Sequence, residues 1–229
     1  MKITWFGHST FRIEMGSSVL LIDPFLNGNP SFEASGASWD DAVAGTTHVA
    51  LTHGHDDHIG DSAEIATKFG ATLFAIFELA LHLGSKGVEK LEPMGQGGTV
   101  ASDDFSVTLT HAQHSSSSNG VYLGTACGLV ITPKNDKTLY HMGDTDVFPG
   151  MDLINTLYQP QIGIVPIGDR FTMGARTATY ACKTYFDFEK IVPCHYGTFP
   201  IIDQTADAFV AEMKSDSVVV PELGQAITV

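Results

Sequence analysis

The sequence predicts an α/β fold built from layered, mixed β-sheets, and three observations carry that reading. Short apolar runs near the start are spaced as hairpins. Later apolar runs alternate with helical stretches. The histidines and aspartates suited to chemistry fall just after strand runs, at Gly7-His8, His53–His58, His114, Gly143-Asp144, Gly168-Asp169 and His195. Loops at strand ends are where such folds place their chemistry, so one shared pocket is expected.

Taken in order, Ile3–His8 and Thr10–Glu14 read as short strands, and Met15-Gly16-Ser17-Ser18 as the hairpin turn into Val19–Asp23. Residues 26–42, rich in Gly, Ser, Asn and Pro, read as an irregular loop. A strand over His48–Thr52 follows. Asp61-Ser62-Ala63-Glu64 has the form of a capping box and Gly70 that of a helix stop, which predicts a helix between them. Thr72–Ile76 reads as a strand and Glu78–Leu83 as a short helix. Over Asp104–His111, Phe105, Val107 and Leu109 alternate with polar residues, the pattern of a half-buried strand. Val121–Thr132 and Thr138–Met142 read as the next pair. Ile162–Ile167 and Lys190–Pro193 are strands separated by a helix over Ala175–Phe186, and a last helix runs from about Thr205 to Lys214. No internal repeat or long linker is visible.

The 229 residues suffice for one large domain or two small ones. Lys plus Arg number 12 against 26 Asp plus Glu, a formal charge of −14. Such a surface repels nucleic-acid backbones and anionic membranes, so neither is an expected partner. Every apolar run is too short to cross a bilayer, and the N-terminus lacks the apolar core of a secretory signal. Cys127, Cys182 and Cys194 are odd in number and form no C-x-x-C pair. They read as buried free thiols of a reducing compartment, which makes the cytoplasm the expected location. Composition leaves homo-oligomerisation open.

The densest feature is His53-Gly54-His55-Asp56-Asp57-His58, three imidazoles and two further carboxylates on a strand-to-helix loop. Alternate residues of an extended segment face the same side, so His53 and His55 can share one metal ion. Asp57 and His58, past the bend, would face a second. His114, Asp144 and His195 complete a set of five histidines and two aspartates. Two first-row ions need about that many ligands while leaving room for water or substrate. An aspartate between the ions can bridge them, and a bridging hydroxide is a nucleophile at neutral pH because metal binding lowers the pKa of water to roughly 7. With no thiolate in the set, Zn, Mn, Fe and Ni are all suitable.

At this point the chain resembles the metallo-β-lactamase superfamily, through H-x-H-x-D-H at His53, His55, Asp57 and His58, then His114, Asp144 and His195 in that order. Within it the chain is similar to the UlaG-like hydrolases and their UPF0173 branch. That finer likeness is carried by Trp5-Phe6-Gly7-His8-Ser9-Thr10-Phe11, by Ile167-Gly168-Asp169 with Phe171-Thr172-Met173-Gly174, and by His195-Tyr196-Gly197-Thr198-Phe199-Pro200. The resemblance covers essentially residues 1–229 as a single hydrolase domain and implies a four-layer αββα sandwich with the metals at one edge between the sheets. It implies that His53, His55 and His114 hold one ion, that Asp57, His58 and His195 hold the other, and that Asp144 bridges them. It raises Mn among the UlaG-like proteins and Zn across the superfamily. Hydrolysis of lactones, thioesters, β-lactams or phosphodiesters is the chemistry it implies, without naming a substrate.

The expected function is therefore a dinuclear metal-dependent hydrolase in which a metal-bridging hydroxide attacks a small anionic ester, a phosphodiester or a lactone. Asp57 and Asp144 are the candidate catalytic residues, Asp57 as a proton shuttle. Arg170 and Arg176, in a chain poor in cations, are candidate grips for an anionic substrate, against a plain surface role. His8 is a candidate ligand or ligand-holding residue, against a structural role. His111 is the rival to His114 and reads as satisfied by hydrogen bonds; His141 reads as a strand histidine. Asp23 either orients an imidazole or shapes a strand-end turn. A non-catalytic metal-binding or regulatory protein on the same scaffold is the alternative function. Flavo-di-iron oxidoreductases fit poorly, since they carry an acidic residue in place of His55 and need a flavodoxin domain for which no residues remain.

Overall fold

In Phe11–Met15, Phe11, Ile13 and Met15 are buried while Arg12 and Glu14 are half-buried, the period-two pattern of a strand with one face on the core. Strands of this kind open the chain in the computed structural model, which describes residues 1–228. The first part of the chain runs β1 (Lys2–Trp5), β2 (Phe11–Met15), β3 (Ser18–Ile22), α1 (Pro30–Ser35), α2 (Trp39–Val43), β4 (His48–Ala50), α3 (Asp56–Ile59), α4 (Ser62–Phe69), β5 (Thr72–Ile76), α5 (Phe77–Gly84) and β6 (Leu91–Met94). The second runs β7 (Thr99–Ala101), β8 (Phe105–His111), β9 (Ser117–Ser118), β10 (Val121–Tyr122), β11 (Cys127–Pro133), β12 (Leu139–His141), α6 (Met151–Tyr158), β13 (Ile162–Pro166), α7 (Ala175–Tyr185), β14 (Lys190–Cys194), α8 (Asp207–Met213) and β15 (Ala226–Thr228).

These elements make two mixed sheets, ordered β15-β1-β2-β3-β4-β5-β6 and β14-β13-β12-β11-β8-β7. Pairing is antiparallel from β15 to β3 and parallel from β3 to β6. In the second sheet it is antiparallel from β7 to β12 and parallel from β12 to β14. The directions follow: β1, β3, β4 and β5 all end on one edge of the first sheet, and β8, β12, β13 and β14 all end on one edge of the second. The inner faces close on each other, as where the His141 ring of β12 meets Phe11 of β2 at 5.5 Å. Tyr140, next along β12, points outward to Phe186 at 5.6 Å beyond α7. Helices α4 and α5 cover the first sheet, and α6, α7 and α8 pack together on the second. This is the αββα sandwich that the resemblance implies.

Several sequence expectations need correcting. Residues 26–42 hold α1 and α2 rather than an irregular loop. The residues that read as loop formers are caps: the Asn29 side chain accepts from the Ser31 and Phe32 amides with Pro30 in the first turn, and Ser38 accepts from Asp41. Helix α4 ends at Gly70 as expected, in the left-handed conformation, but no capping box forms at its start. The Asp61 carboxylate instead accepts the Leu26 and Asn27 amides and the Asn27 side chain. The run read as one strand over Val121–Thr132 is split: β10 pairs with β9 in a small hairpin, and the large sheet begins again at Cys127. Strands β6, β7 and β15 and helix α6 went unread, being three- or four-residue edge strands and a helix that leaves Leu153 and Leu157 exposed.

Candidate metal centre

The seven ligand candidates arrive at the shared edge on the segments that leave β4, β8, β12 and β14, with Asp57 and His58 inside the short helix α3 rather than on the loop the sequence suggests. Asp23 ends β3 in a left-handed backbone (φ 43°), so its carboxylate turns back over the neighbouring strand. Its Oδ1 accepts the Thr52 amide at 2.8 Å, and its Oδ2 accepts the Thr52 hydroxyl at 2.6 Å and faces His58 Nδ1 at 2.8 Å. The Thr52 oxygen, having given its proton to Asp23, accepts from His53 Nδ1 at 3.0 Å. Both imidazoles are thereby fixed with the proton on Nδ1 and with Nε2 turned into the site. Asp23 is thus a holder of imidazoles, and Thr52, which no sequence signal singled out, is its relay. Gly143 precedes Asp144 with φ 66°, and a Cβ there would lie 2.5 Å from the Cys127 carbonyl oxygen, so only glycine fits.

Three groups of donor atoms result, His53-His55-His114, His53-His58-Asp144 and His8-Asp57-His58-His195, each with its atoms within 4.8 Å of one another. Asp144 Oδ2 is central to them. It lies 3.0 Å from His195 Nε2, 3.3 Å from His58 Nε2, 3.6 Å from His114 Nε2 and 4.0 Å from His53 Nε2. On the first-group side, His53 Nε2 faces His55 Nδ1 at 2.9 Å, and His55 Nε2 is 3.3 Å from Ser115 Oγ. Ser116 braces this loop, accepting the Gly54 amide at 3.0 Å.

Burial lowers the pKa of His53 well below the ordinary imidazole value, and lowers those of His55 and His114. These rings stay neutral, with a lone pair to give. Burial opposes charge on His58 too, but Asp144 and Asp23 on either side outweigh it and raise its pKa well above the usual value. Burial likewise opposes ionisation of Asp144, and the charges of His195 and His58 overcome it. Asp57 is held below the usual carboxylate range in the same way, by His58 and by its hydrogen bond to His8, against the effect of burial.

The residues fit metal ions. Asp144 Oδ1 is buried with no hydrogen-bond partner in the structure, though such an atom costs about 1–3 kcal/mol when left unpaired, and His58 Nε2 has only the 3.3 Å contact with Asp144 Oδ2. A divalent cation among them satisfies both, and displaces the proton that His58 otherwise carries. The nitrogen and carboxylate donor set, without thiolate, suits first-row ions.

Other sequence candidates fall outside this constellation. His111 is exposed and packs edge-on against Phe148 at 4.9 Å, rather than being enclosed by hydrogen bonds, because it stands at the very end of β8. His141 is fully buried; its Nδ1 accepts the Gly143 amide at 3.0 Å and its Nε2 faces the Ser9 carbonyl at 3.3 Å, a strand histidine. Cys194 is buried in the core, its thiol pKa pushed well up by burial. Arg170 and Arg176 are both exposed. The Arg170 guanidinium lies 5.6 Å over the Phe171 ring. Arg176 lines a surface depression with Asp169, Gly174, Ala175, Thr177 and Asp203, none of them a candidate ligand. His8 stands in the group with Asp57, His58 and His195, with Nε2 3.0 Å from Asp57 Oδ2.

Two mixed sheets that meet over a His/Asp cluster at one edge define a metallo-hydrolase scaffold, and the comparisons agree. The β-lactamase superfamily domain matches residues 2–195, and the chain belongs to that superfamily. It is 56% identical over 218 residues to a UPF0173 metal-dependent hydrolase of Brucella abortus (strain S19), covering 93% of this chain and 91% of that one. It is 54% identical over 230 residues to another UPF0173 metal-dependent hydrolase, from Methylocella silvestris, covering 98% of both. Its branch is therefore the UPF0173 family of metal-dependent hydrolases. Among solved structures it is similar to Igni18, a metallo hydrolase from the archaeon Ignicoccus hospitalis, at TM-score 0.88 and 34% identity over 99% of this chain and 97% of that one. An isothiocyanate hydrolase from Delia radicum gut bacteria shares the fold at TM-score 0.79 and 23% identity, covering 100% of this chain and 99% of that one.

Proposed function

We propose that this metal-dependent hydrolase is dinuclear and cleaves a small anionic ester, a phosphodiester or a lactone, in the manner of UlaG-like enzymes. The observation that supports this most is the position of Asp144 Oδ2, 3.0–4.0 Å from nitrogens of His53, His58, His114 and His195. In this reading His53, His55 and His114 hold one ion, Asp57, His58 and His195 hold the other, and Asp144 serves both. Mn or Zn is the proposed pair, with Ni and Fe also suited to the donors. When bound, the ions supply an activated water at neutral pH and polarise the bond to be cleaved. Asp144, within reach of imidazoles from both sets, would offset the repulsion between two like charges held there. Asp57, whose side chain is 31% exposed, reaches solvent where a proton must leave, and is the proposed shuttle.

The acidic surface disfavours polyanions at long range, while a cationic centre inside attracts a small anion that enters. Arg170 and Arg176 are proposed to meet the anionic group as it arrives, a charge-assisted contact each worth roughly tenfold to a hundredfold in affinity. The three buried, unpaired cysteines support a reducing, cytoplasmic setting. No helix among the described residues is long and apolar enough to cross a membrane.

The test is a panel of p-nitrophenyl phosphodiesters, lactones and β-lactams assayed with Mn, Zn, Ni and Fe after chelation. Turnover of a phosphodiester or lactone that needs added metal is expected. Failure of every ester with every metal would sink the hydrolytic reading. Equal turnover of charged and neutral esters sharing a leaving group, unaffected by Arg170→Ala and Arg176→Ala, would remove only the anionic preference.

A further inference from the structure

Each imidazole or carboxylate of a metal group needs something that fixes its direction. His58 has Asp23 and His53 has Thr52, as described above. Asp57 and His195 have neither of these, and they come from opposite sheets. Asp57 sits on the four-residue turn α3 with its side chain 31% exposed, and His195 Nδ1 is buried without a hydrogen-bond partner. Both are touched by one residue. His8 Nε2 is 3.0 Å from Asp57 Oδ2, and the His8 carbonyl oxygen accepts the His195 amide at 3.0 Å. The His8 ring packs on the His195 ring at 4.1 Å between centroids, with Phe199 behind it at 5.3 Å and Phe25 at 6.1 Å.

We propose that His8 is a positioning residue that clasps the second metal group, holding Asp57 with its side chain and His195 with its backbone, and is not itself a ligand. This rests on the two-ion reading above. Asp57, His58, His195 and Asp144 already offer four donors to that ion, one more than the three of a typical catalytic zinc site, and a fifth protein ligand would take the position that water or substrate needs. Nε2, by donating its proton to Asp57, has no lone pair left for an ion. The ring's remaining lone pair is on Nδ1, which is buried without a hydrogen-bond partner, and the coupling measurement below reads that nitrogen directly. The backbone is built for the role: His8 is 0% exposed and held at φ 51°, directly after Gly7 at φ 94°, and its carbonyl also accepts the Trp5 indole N–H at 2.9 Å. A non-glycine residue kept in this left-handed region carries strain that its surroundings must outweigh, as the tilted and edge-on aromatic rings and three hydrogen bonds do here.

The test begins with titration of the metal-free wild type with Zn, which must take up two ions per chain; fewer defeats the two-ion reading itself. His8→Ala is then expected to weaken the second uptake by about 10–100-fold while leaving the first unchanged. His8→Gln, whose side-chain amide N–H can reach the same oxygen but whose nitrogen is not a ligand, is expected to restore most of that loss. Equal failure of both variants, loss of both ions alike in His8→Ala, or no loss in either variant overturns the proposal. A second measurement needs no variant. Wild type loaded with NMR-active cadmium and carrying nitrogen-labelled histidine should show metal–nitrogen coupling at His58 and His195 and none at His8. Coupling at His8 would make it a ligand and end the proposal.

Discussion

Asp144 Oδ2 faces imidazole nitrogens brought by both sheets, so removing its carboxylate acts on both metal groups together. Asp144→Ala is expected to abolish turnover and weaken uptake of both ions, with the fold retained by circular dichroism; unchanged turnover would take Asp144 out of the centre. His114 and His111 differ in the same assay. His114→Ala should lose metal and His111→Ala should not, because His111 is exposed and belongs to none of the three donor groups, while His114 lies 3.6 Å from Asp144. His141 offers a test that needs no metal. Burial lowers its pKa from 6.5 to about 4, so between those values the unfolded chain binds more protons than the folded one. The stabilising contribution is complete above pH 6.5 and is lost as pH falls towards 4, at most about 3 kcal/mol. Denaturant titration of metal-free protein at pH 7 and pH 4.5 should show a slope to which other histidines with lowered pKa, among them His53, His55 and His114, also contribute, and His141→Gln should reduce it by the His141 share. An identical slope in the variant would refute the assignment. At this scale the ligand candidates were legible because residue type and position after strand runs mark them, with the family resemblance choosing His114 over His111. Of their holders, Asp23 was legible as one of two readings, but Thr52 and Ser116 were not, being ordinary residues whose role exists only once strands from distant parts of the chain are side by side.

Elements were legible where the local signal and the packed structure make the same demand. Strand β8 is legible from the alternation of Phe105, Val107 and Leu109 with polar residues, although the structure buries Thr108 and Thr110 as well, so the strand is covered on both faces over most of its length rather than half-buried. Helix α4 stops where Gly70 adopts a left-handed backbone. The signal failed where a residue has a tertiary use that competes with its local one. Asp61 has the position and chemistry of an N-cap, yet its carboxylate is spent on the segment that follows β3. Asp61→Ala is therefore expected to leave the Leu26 and Asn27 amides without their acceptor and to destabilise the protein by about 2–4 kcal/mol, more than the ~1 kcal/mol of a lost cap. Hydrogen exchange decides between the two roles. Faster exchange at the Leu26 and Asn27 amides, with residues 63–65 of α4 unchanged, supports the tertiary role. Faster exchange confined to the first turn of α4 would restore the capping reading. Residues 26–42 teach the converse, since Asn29, Pro30 and Ser38 are at once loop formers and helix starters, and composition does not separate the two.

For the whole molecule, the topology explains why one edge carries the chemistry. Parallel and alternate antiparallel pairing send β1, β3, β4, β8, β12, β13 and β14 to a common edge, so residues as far apart in sequence as His8 and His195 meet there. The sheets are tied at that edge by few direct hydrogen bonds, among them His195 N–H to the His8 carbonyl and Cys127 N–H to the Thr52 carbonyl. Ions shared between His53 and His114, and between Asp57 and His195, would add ties across the same gap. An ion that binds only the folded chain stabilises it by mass action, about 2.7 kcal/mol at a free concentration one hundred times its dissociation constant, and two such ions add together. They also offset part of a net charge of −14 that otherwise opposes compaction. Chelation should accordingly lower the melting temperature by several degrees, and stepwise return of Zn should raise it in a concentration-dependent way. Exchange protection on metal removal should fall first in the loops after β1, β4, β8 and β14, while the central strand β11, whose flanking partners lie far from that edge over most of its length, keeps its protection. Loss spread evenly over both sheets would mean that the ions support the fold as a whole. No loss at the edge, with a melting temperature indifferent to Zn, would mean that the apolar core alone holds the sheets in register and that the centre contributes nothing to their closure.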